Sequence, residues 1–387
     1  MPVKNRFAEL HGDITAWRRD LHRHPEILFE THRTAGIVAE KLRAFGCDEV
    51  TTGIGRTGVV GVIRGRSTAS GRTIGLRADM DALPIHETTG ADHASTVDGA
   101  MHACGHDGHT AMLLGAAQYL CETRNFDGTV VVIFQPAEEG GGGGREMCRD
   151  GMMDRWGIEE VYGMHNWPGV PVGQFQIRPG PFFAATDLFE VEVEGRGGHA
   201  AKPHETIDTT VVAAQIVTAL QTIASRNADP VAQVVVSVTS FRTSSSAFNV
   251  IPQKVHLKGT VRTLSPEVRD LAETRLTAIC TSVAEAFGAR ASVDYIRNYP
   301  VMVNAEEQTA FAAEVAQAVA GSCEDADLVM GGEDFAFMLE ERPGAYILVG
   351  NGDTASVHSP DYDFNDETIP AGCSWWAEIV ERRLPAR

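Results

Sequence analysis

The chain has 387 residues, 43% apolar and 22% charged, an ordinary globular composition and more sequence than one hydrophobic core usually supports. A formal net charge of −19 argues against nucleic acid as a partner, and the absence of any apolar run near the roughly 20 residues of a membrane span argues against a membrane. Seven scattered cysteines and a polar, periodic N-terminus without a signal-peptide pattern point to a reducing, cytoplasmic setting.

Residues 6–24 predict an amphipathic helix with Phe7, Leu10, Ile14, Trp17 and Leu21 on one stripe, and residues 31–45 a second helix closed by Gly46. Residues 59–64 and 73–78 predict strands around a turn rich in Gly and Ser. Helical spacing runs over 109–123. The continuous apolar run at 129–134 fits a strand buried on both faces. This alternation predicts an α/β fold, a mixed and mostly parallel sheet sandwiched by helices. Near Phe183 the pattern changes. Strand 187–193, helix 206–224, strands 233–241 and 254–262, helix 266–287 and strand 291–296 follow in the order βαββαβ, the ferredoxin-like pattern. A helix at 305–320 and an apolar strand at 345–349 restore the α/β character. The expected organisation is one domain built from residues 1–184 and 298–387, interrupted by a smaller one at 185–297.

Four separated segments carry the chemistry. Cys104 and His106 lie two apart, where Gly105 lets the backbone bend so that both reach one ion. With His109 or His106 as base, Cys104 also fits a nucleophile. Glu138-Glu139 follows the buried strand, where sites form in α/β sheets, and adjacent carboxylates pointing apart suit one metal ligand and one general base. The five glycines at 140–144 suit close approach of a substrate to bare backbone; without a following Gly-Lys-Ser/Thr they are no phosphate loop. His165 ends a short apolar stretch, and His358 precedes Ser359-Pro360. Asp79 and Asp81, at a strand end, either orient a ligand histidine from behind or simply form a turn. Thiolate, imidazole and carboxylate together are what zinc-like divalent ions bind, so metal-assisted hydrolysis is the expected chemistry.

In order, the segments Asp79-Met80-Asp81-Ala82-Leu83-Pro84, Met101-His102-Ala103-Cys104-Gly105-His106-Asp107-Gly108-His109, Gln135-Pro136-Ala137-Glu138-Glu139-Gly140, Met164-His165-Asn166, Gly198-His199-Ala200, Asn249-Val250-Ile251-Pro252, Gly331-Gly332-Glu333-Asp334-Phe335 and His358-Ser359-Pro360 resemble the aminoacylase-type metal-dependent amidohydrolases. That family holds hippurate hydrolases, N-acyl-amino-acid amidohydrolases and hydrolases of auxin–amino-acid conjugates, and the resemblance covers essentially the whole chain. It implies a catalytic larger domain and a smaller lid or dimerisation domain. It implies two divalent ions (Zn, Mn, Ni or Co), bridged by Cys104 and further held by His106, Glu139, His165 and His358. Glu138 is then the general base and later the acid. His199 reaches a partner subunit's site and steadies the oxyanion, in a homodimer or homotetramer. Asn249 and Arg262 grip the carboxylate of an N-acyl amino acid, and Gly332 lets backbone amides approach it. Related carboxypeptidases and dipeptidases place His-x-Asp where this chain has Asp79-Met80-Asp81, and a bridging Asp in place of Cys104. This favours the amidohydrolase branch, with dipeptidase or carboxypeptidase activity as the alternative.

Overall fold

The computed structural model describes residues 4–386. The chain forms two compact units. One comprises the segments through Gly180, Val303–Asp327 and from Asp334 onward; the other comprises Pro181–Met302 with Leu328–Glu333.

The first unit is built on an eight-stranded sheet, in the order Glu49–Ile54, Gly58–Arg64, Thr129–Gln135, Thr73–Asp79, Glu160–Pro168, Gly344–Gly352, Phe175–Ile177 and Glu324–Asp325. Its middle is parallel: Thr73–Asp79 lies between Thr129–Gln135 and Glu160–Pro168, and Gly344–Gly352 runs parallel to Glu160–Pro168. Antiparallel pairs join Glu49–Ile54 to Gly58–Arg64, Gly58–Arg64 to Thr129–Gln135, and Phe175–Ile177 to Gly344–Gly352. This is the mixed, mostly parallel α/β class expected from the sequence. Thr73–Asp79 and Gly344–Gly352 are buried at every residue, as the central strands of a covered parallel sheet must be.

Three helices, Asn5–Arg23, His106–Thr123 and Ile369–Arg383, pack against one another. A Cβ added at Gly115 would sit 2.5 Å from Ile14 Cδ1 and 2.9 Å from Cys373 Sγ, so glycine permits this close crossing. Leu113 and Leu114 are fully buried on His106–Thr123, and truncating either to alanine costs about 2–5 kcal/mol. Burial on nearly all sides fixes the direction of the helix and therefore the position of its first turn, where His106 and His109 sit.

Two elements escape the periodicity. Glu160–Pro168 opens on an acid and ends in His165-Asn166-Trp167-Pro168, so its sequence does not read as a buried strand. Glu160 is compensated by Arg72, Arg383 and the Tyr162 hydroxyl, and the polar end belongs to the site. Ile369–Arg383 is fully buried at both Trp375 and Trp376 and lacks a one-sided apolar stripe.

The second unit holds a four-stranded antiparallel sheet in the order Val234–Thr243, Lys254–Thr263, Ala185–Glu194 and Arg290–Tyr299. With helices Thr209–Leu220 and Pro266–Ala286 this is the βαββαβ order. Alternate residues Phe189, Val191, Val193, Val255 and Leu257 face a core shared with Ile216 and Leu276. The first helix starts at Thr209, later than its spacing suggests. A short turn at Pro203–Glu205 intervenes, and the Asp208 side chain caps the helix by accepting from the Thr210 amide at 2.9 Å.

Candidate metal and catalytic site

The site lies at the carboxyl ends of the parallel strands of the first unit. Asp79 ends its strand, Glu138 and Glu139 follow Thr129–Gln135, and His165 sits in the second half of Glu160–Pro168. Cys104 and His106 flank Gly105, which has φ 86°. A Cβ there would lie 2.3 Å from Asn166 Nδ2 and 2.5 Å from Tyr362 Oη, so both conformation and packing require glycine. His358 is brought in from the far end of the sequence by its own amide, which donates to Ala103 O at 2.7 Å.

The structure brings together all five expected ligands. Cys104, His106 and His165 form one group whose potential donor atoms lie within 4.8 Å of one another; Cys104, Glu139 and His358 form another. Cys104 belongs to both, which is the arrangement a bridging thiolate needs. Glu138 joins His106 and Glu139 in a third such group. Cys104 Sγ lies 3.3 Å from His165 Nε2, and His358 Nε2 lies 3.3 Å from Glu139 Oε1. Two residues adopt left-handed backbone that their side chains disfavour: Ala137 (φ 54°), just before the carboxylate pair, and His358 (φ 65°). Such strain collects where side-chain aim matters more than backbone comfort.

Electrostatics at the cluster fit divalent cations. Burial, with Glu139, Glu138 and Asp79 nearby, pushes the Cys104 thiol well above its usual range. Burial alone would lower His106, but Asp79, Asp81 and Glu139 outweigh it and raise it to about 10. Burial, aided by His109, holds His165 well below the usual histidine range. Among the described residues, His106 Nε2 is buried without a hydrogen-bond partner, and Glu139 Oε1 is buried with His358 Nε2 at 3.3 Å as an ion-pair neighbour. An unsatisfied imidazole nitrogen beside a crowded set of acids is what a cation would satisfy, and a cation is what makes a thiolate tenable there. The residues present therefore fit a metal centre.

Behind the ligands lies a buried hydrogen-bond frame. Asp81 accepts the Glu138 amide at 2.9 Å on one carboxylate oxygen and the Glu139 amide at 3.1 Å on the other. Its backbone oxygen is 2.9 Å from His106 Nδ1, which fixes the ring with Nε2 turned towards Glu139. The Asp81 carboxylate thus holds the two glutamate amides, and it is the Asp81 backbone oxygen that hydrogen-bonds the His106 ring. Asp79 takes another partner: its Oδ1 is 2.6 Å from His109 Nδ1, and His109 Nε2 accepts the Asn166 amide at 2.9 Å, so the proton sits on Nδ1. The Asn166 side chain donates to Cys104 O at 2.6 Å and accepts from Tyr362 at 2.6 Å. Arg77, fully buried, donates to Asp79, Gln135 and Asp334.

Sequence reasoning missed Asn166, Tyr362 and this role of His109. Their partners are remote in sequence, and only the spacing in His106-Asp107-Gly108-His109, one turn of helix, hinted that two histidines share a face. The glycine run also reads differently. A Cβ at Gly143 would lie 1.7 Å from Pro136 O, and one at Gly144 would lie 2.9 Å from Asp334 O. These two glycines serve a tight turn against neighbouring backbone, not an open approach for substrate.

His199, Asn249, Arg262 and Gly332 lie in the second unit. His199 pairs with Val250, and Ala200 N donates to Asn249 O at 3.0 Å, so His199 and Asn249 are neighbours. Arg262 pairs with Thr186, against which Gly332 packs so closely that a Cβ would meet Thr186 Cγ2 at 2.2 Å. Arg262 donates to Thr260 and to Val261 O, and has no carboxylate partner among the described residues.

This fold and site are those of a hydrolase family: the chain belongs to Peptidase family M20/M25/M40, whose model matches residues 75–382. It is 39% identical to a hippurate hydrolase of Campylobacter jejuni over 381 residues, 98% of each chain. It is 40% identical to a thermostable carboxypeptidase of Saccharolobus solfataricus over 380 residues, 96% of this chain and 95% of that one. Among solved structures it resembles a Bacillus subtilis protein described as a dinuclear metal binding peptidase from the M20 family, with TM-score 0.86, 33% identity and coverage of 98% and 100%. No helix among the described residues is long and apolar enough to cross a membrane.

Proposed function

We propose that this protein hydrolyses the amide bond of N-acyl-L-amino acids to a carboxylic acid and an amino acid, using two divalent ions held by Cys104, His106, Glu139, His165 and His358. The observation that carries this is the two ligand groups sharing Cys104, with Glu138 beside them. When bound, such ions polarise the scissile carbonyl and acidify water. Glu138 takes the proton from the attacking water and passes it to the leaving nitrogen. Asp81 holds both catalytic carboxylates by their backbone amides.

Arg262, lacking a carboxylate partner among the described residues, receives the substrate's carboxylate through its planar fork, with the backbone at Gly332 as a further contact; Asn249, beside His199, reaches that carboxylate from a partner subunit. His199 donates to the developing oxyanion. The strand Lys254–Thr263 separates the Asn249 end of the unit from Arg262 by about eight residues, roughly 26 Å at the rise of a β-strand. A substrate of one amino acid and one short acyl group spans about 10 Å, at two to three residue lengths. One subunit therefore does not bring both His199 and Arg262 to the same substrate, which supports His199 serving a partner subunit's site in a homodimer or larger assembly. The likeness to a carboxypeptidase favours a second reading, in which the acyl group is itself an amino acid or peptide.

The test is ninhydrin-detected amino-acid release from hippurate, N-acetyl-methionine and a dipeptide, before and after EDTA, with Mn²⁺ or Zn²⁺ add-back. Metal-restored release from the acyl amino acids, with little from the dipeptide, is expected. Preferential dipeptide cleavage selects the peptidase reading, and full activity after rigorous metal removal refutes the metal mechanism in favour of Cys104 as nucleophile.

A further inference from the structure

Two cysteines outside the site face each other. Cys47 follows the helix His32–Phe45, in the turn made by left-handed Gly46, and Cys121 sits in the last turn of His106–Thr123. Their sulfurs are 3.6 Å apart. The two are 74 positions apart in sequence. Each is held in place on its own account. The Cys47 amide donates to Leu42 O at 3.1 Å, and the Cys121 side chain belongs to the main core. Cys47 is partly exposed, which admits a small oxidant from solvent, whereas Cys121 is buried at 8% exposure.

We propose that Cys47 and Cys121 form an oxidisable dithiol, a modification site that a peroxide converts to an intramolecular disulfide. The sulfur of the partly exposed Cys47 attacks one peroxide oxygen, giving a sulfenic acid, and the thiol proton leaves with the other oxygen as water. The Cys121 thiol then attacks the Cys47 sulfur, forming the S–S bond and expelling the second water. Two thiols and one hydrogen peroxide thus give one disulfide and two waters, and a thiol reductant reverses the change. The sulfurs must close from 3.6 Å to about 2.05 Å, a distance that side-chain rotation with a small shift of the Cys47 turn can cover. Arg124, next to the pair, donates to Asp48 and to Gly46 O, so the turn carrying Cys47 is tied to the same helix end. The bond would close a long loop and restrict the unfolded chain accordingly.

The pair is chemically separable from the ligand thiol. Cys121 is fifteen positions beyond His106 on one straight helix, about 22 Å at 1.5 Å per residue. The experiment treats the folded, metal-loaded protein with substoichiometric to equimolar hydrogen peroxide, blocks remaining thiols with iodoacetamide, and maps peptides without reduction. A linked Cys47–Cys121 peptide lighter by two hydrogens, lost on dithiothreitol treatment, is expected, together with an upward shift of the thermal unfolding midpoint. In Cys47→Ser the linked peptide disappears and the oxidised protein unfolds at the temperature of the reduced one. Cys121→Ser leaves Cys47 as a sulfenic acid trapped by dimedone. Overoxidation of Cys47 to sulfinic acid without the linked peptide, or oxidation of other cysteines while both thiols remain free, overturns the proposal. Wild-type mapping decides the matter even if one variant fails to fold.

Discussion

Asp81→Asn tests whether the Glu138 and Glu139 carboxylates are held by their backbone. The substitution keeps the shape of the side chain but replaces one of two accepting oxygens with an N–H donor. One of the Glu138 and Glu139 amides, now accepted at 2.9 and 3.1 Å, keeps a neutral acceptor; the other faces a second donor. A buried orphaned donor costs about 1–3 kcal/mol, and loss of charge assistance in the remaining bond about 1 kcal/mol more. The first unit should therefore lose about 2–4 kcal/mol, read as a lower urea midpoint. Because the two carboxylates move with their backbone, kcat should fall about 100-fold, the usual effect of a displacement near 1 Å, with KM little changed. Asp81→Ala, which orphans both amides, should lose more of each. If Asp81→Asn turns over within about threefold of wild type and its urea midpoint is unmoved, the frame does not position the carboxylates and the argument fails.

Glu138→Gln should lower turnover by about 10²–10⁴-fold, the worth of a positioned acid–base group, while elemental analysis finds the same bound metal; substantial residual turnover would remove Glu138 from its role. In the second unit, Asp187 accepts from Arg269, Tyr295 and the Asn298 amide. Asp187→Ala leaves the Arg269 charge unpaired in the interior and should cost about 3–5 kcal/mol in denaturant unfolding, and an unchanged midpoint would contradict the assigned burial. His22 gives a pH dependence. Burial opposes its protonation, but Asp107 at 2.8 Å and Glu87 raise its pKa from 6.5 to about 9. The stabilisation is complete below 6.5 and is lost as pH rises through about 9. Wild-type stability should thus decline over that interval while His22→Gln declines less; parallel curves would show that His22 contributes nothing.

The legible part of the sequence was the part with local signals. Strand Thr129–Gln135 is an unbroken apolar run, and the helices of the second unit repeat every third or fourth residue, so both follow from periodicity. The residues that cluster at the candidate site were legible because their chemistry is unusual: a thiol two residues from an imidazole, and two adjacent acids after a buried strand. What stayed hidden was pairing. Nothing around Asn166 says that its amide joins His109, Cys104 and Tyr362, because each partner lies more than fifty positions away. Glycines were ambiguous for the same reason. Gly105 was correctly tied to a bend, whereas Gly143 and Gly144 answer to Pro136 and Asp334, which only the folded backbone brings near. Strand Glu160–Pro168 was obscured because its polar half serves the site.

The placement of His358 has a consequence for synthesis. Cys104, His106, Glu139 and His165 leave the ribosome early, but His358, the last proposed ligand, and strand Gly344–Gly352 that pairs with Glu160–Pro168, follow only after the whole second unit has been made. At about 5–20 residues per second the nascent chain carries an incomplete centre for roughly 10–40 seconds. During that time the second unit, continuous from Pro181 to Met302, has its main sheet and both its helices available to fold. The unit holding the proposed centre is thus finished last, and Cys104 exists first as a nascent, unfinished thiol and only afterwards beside all of its proposed co-ligands.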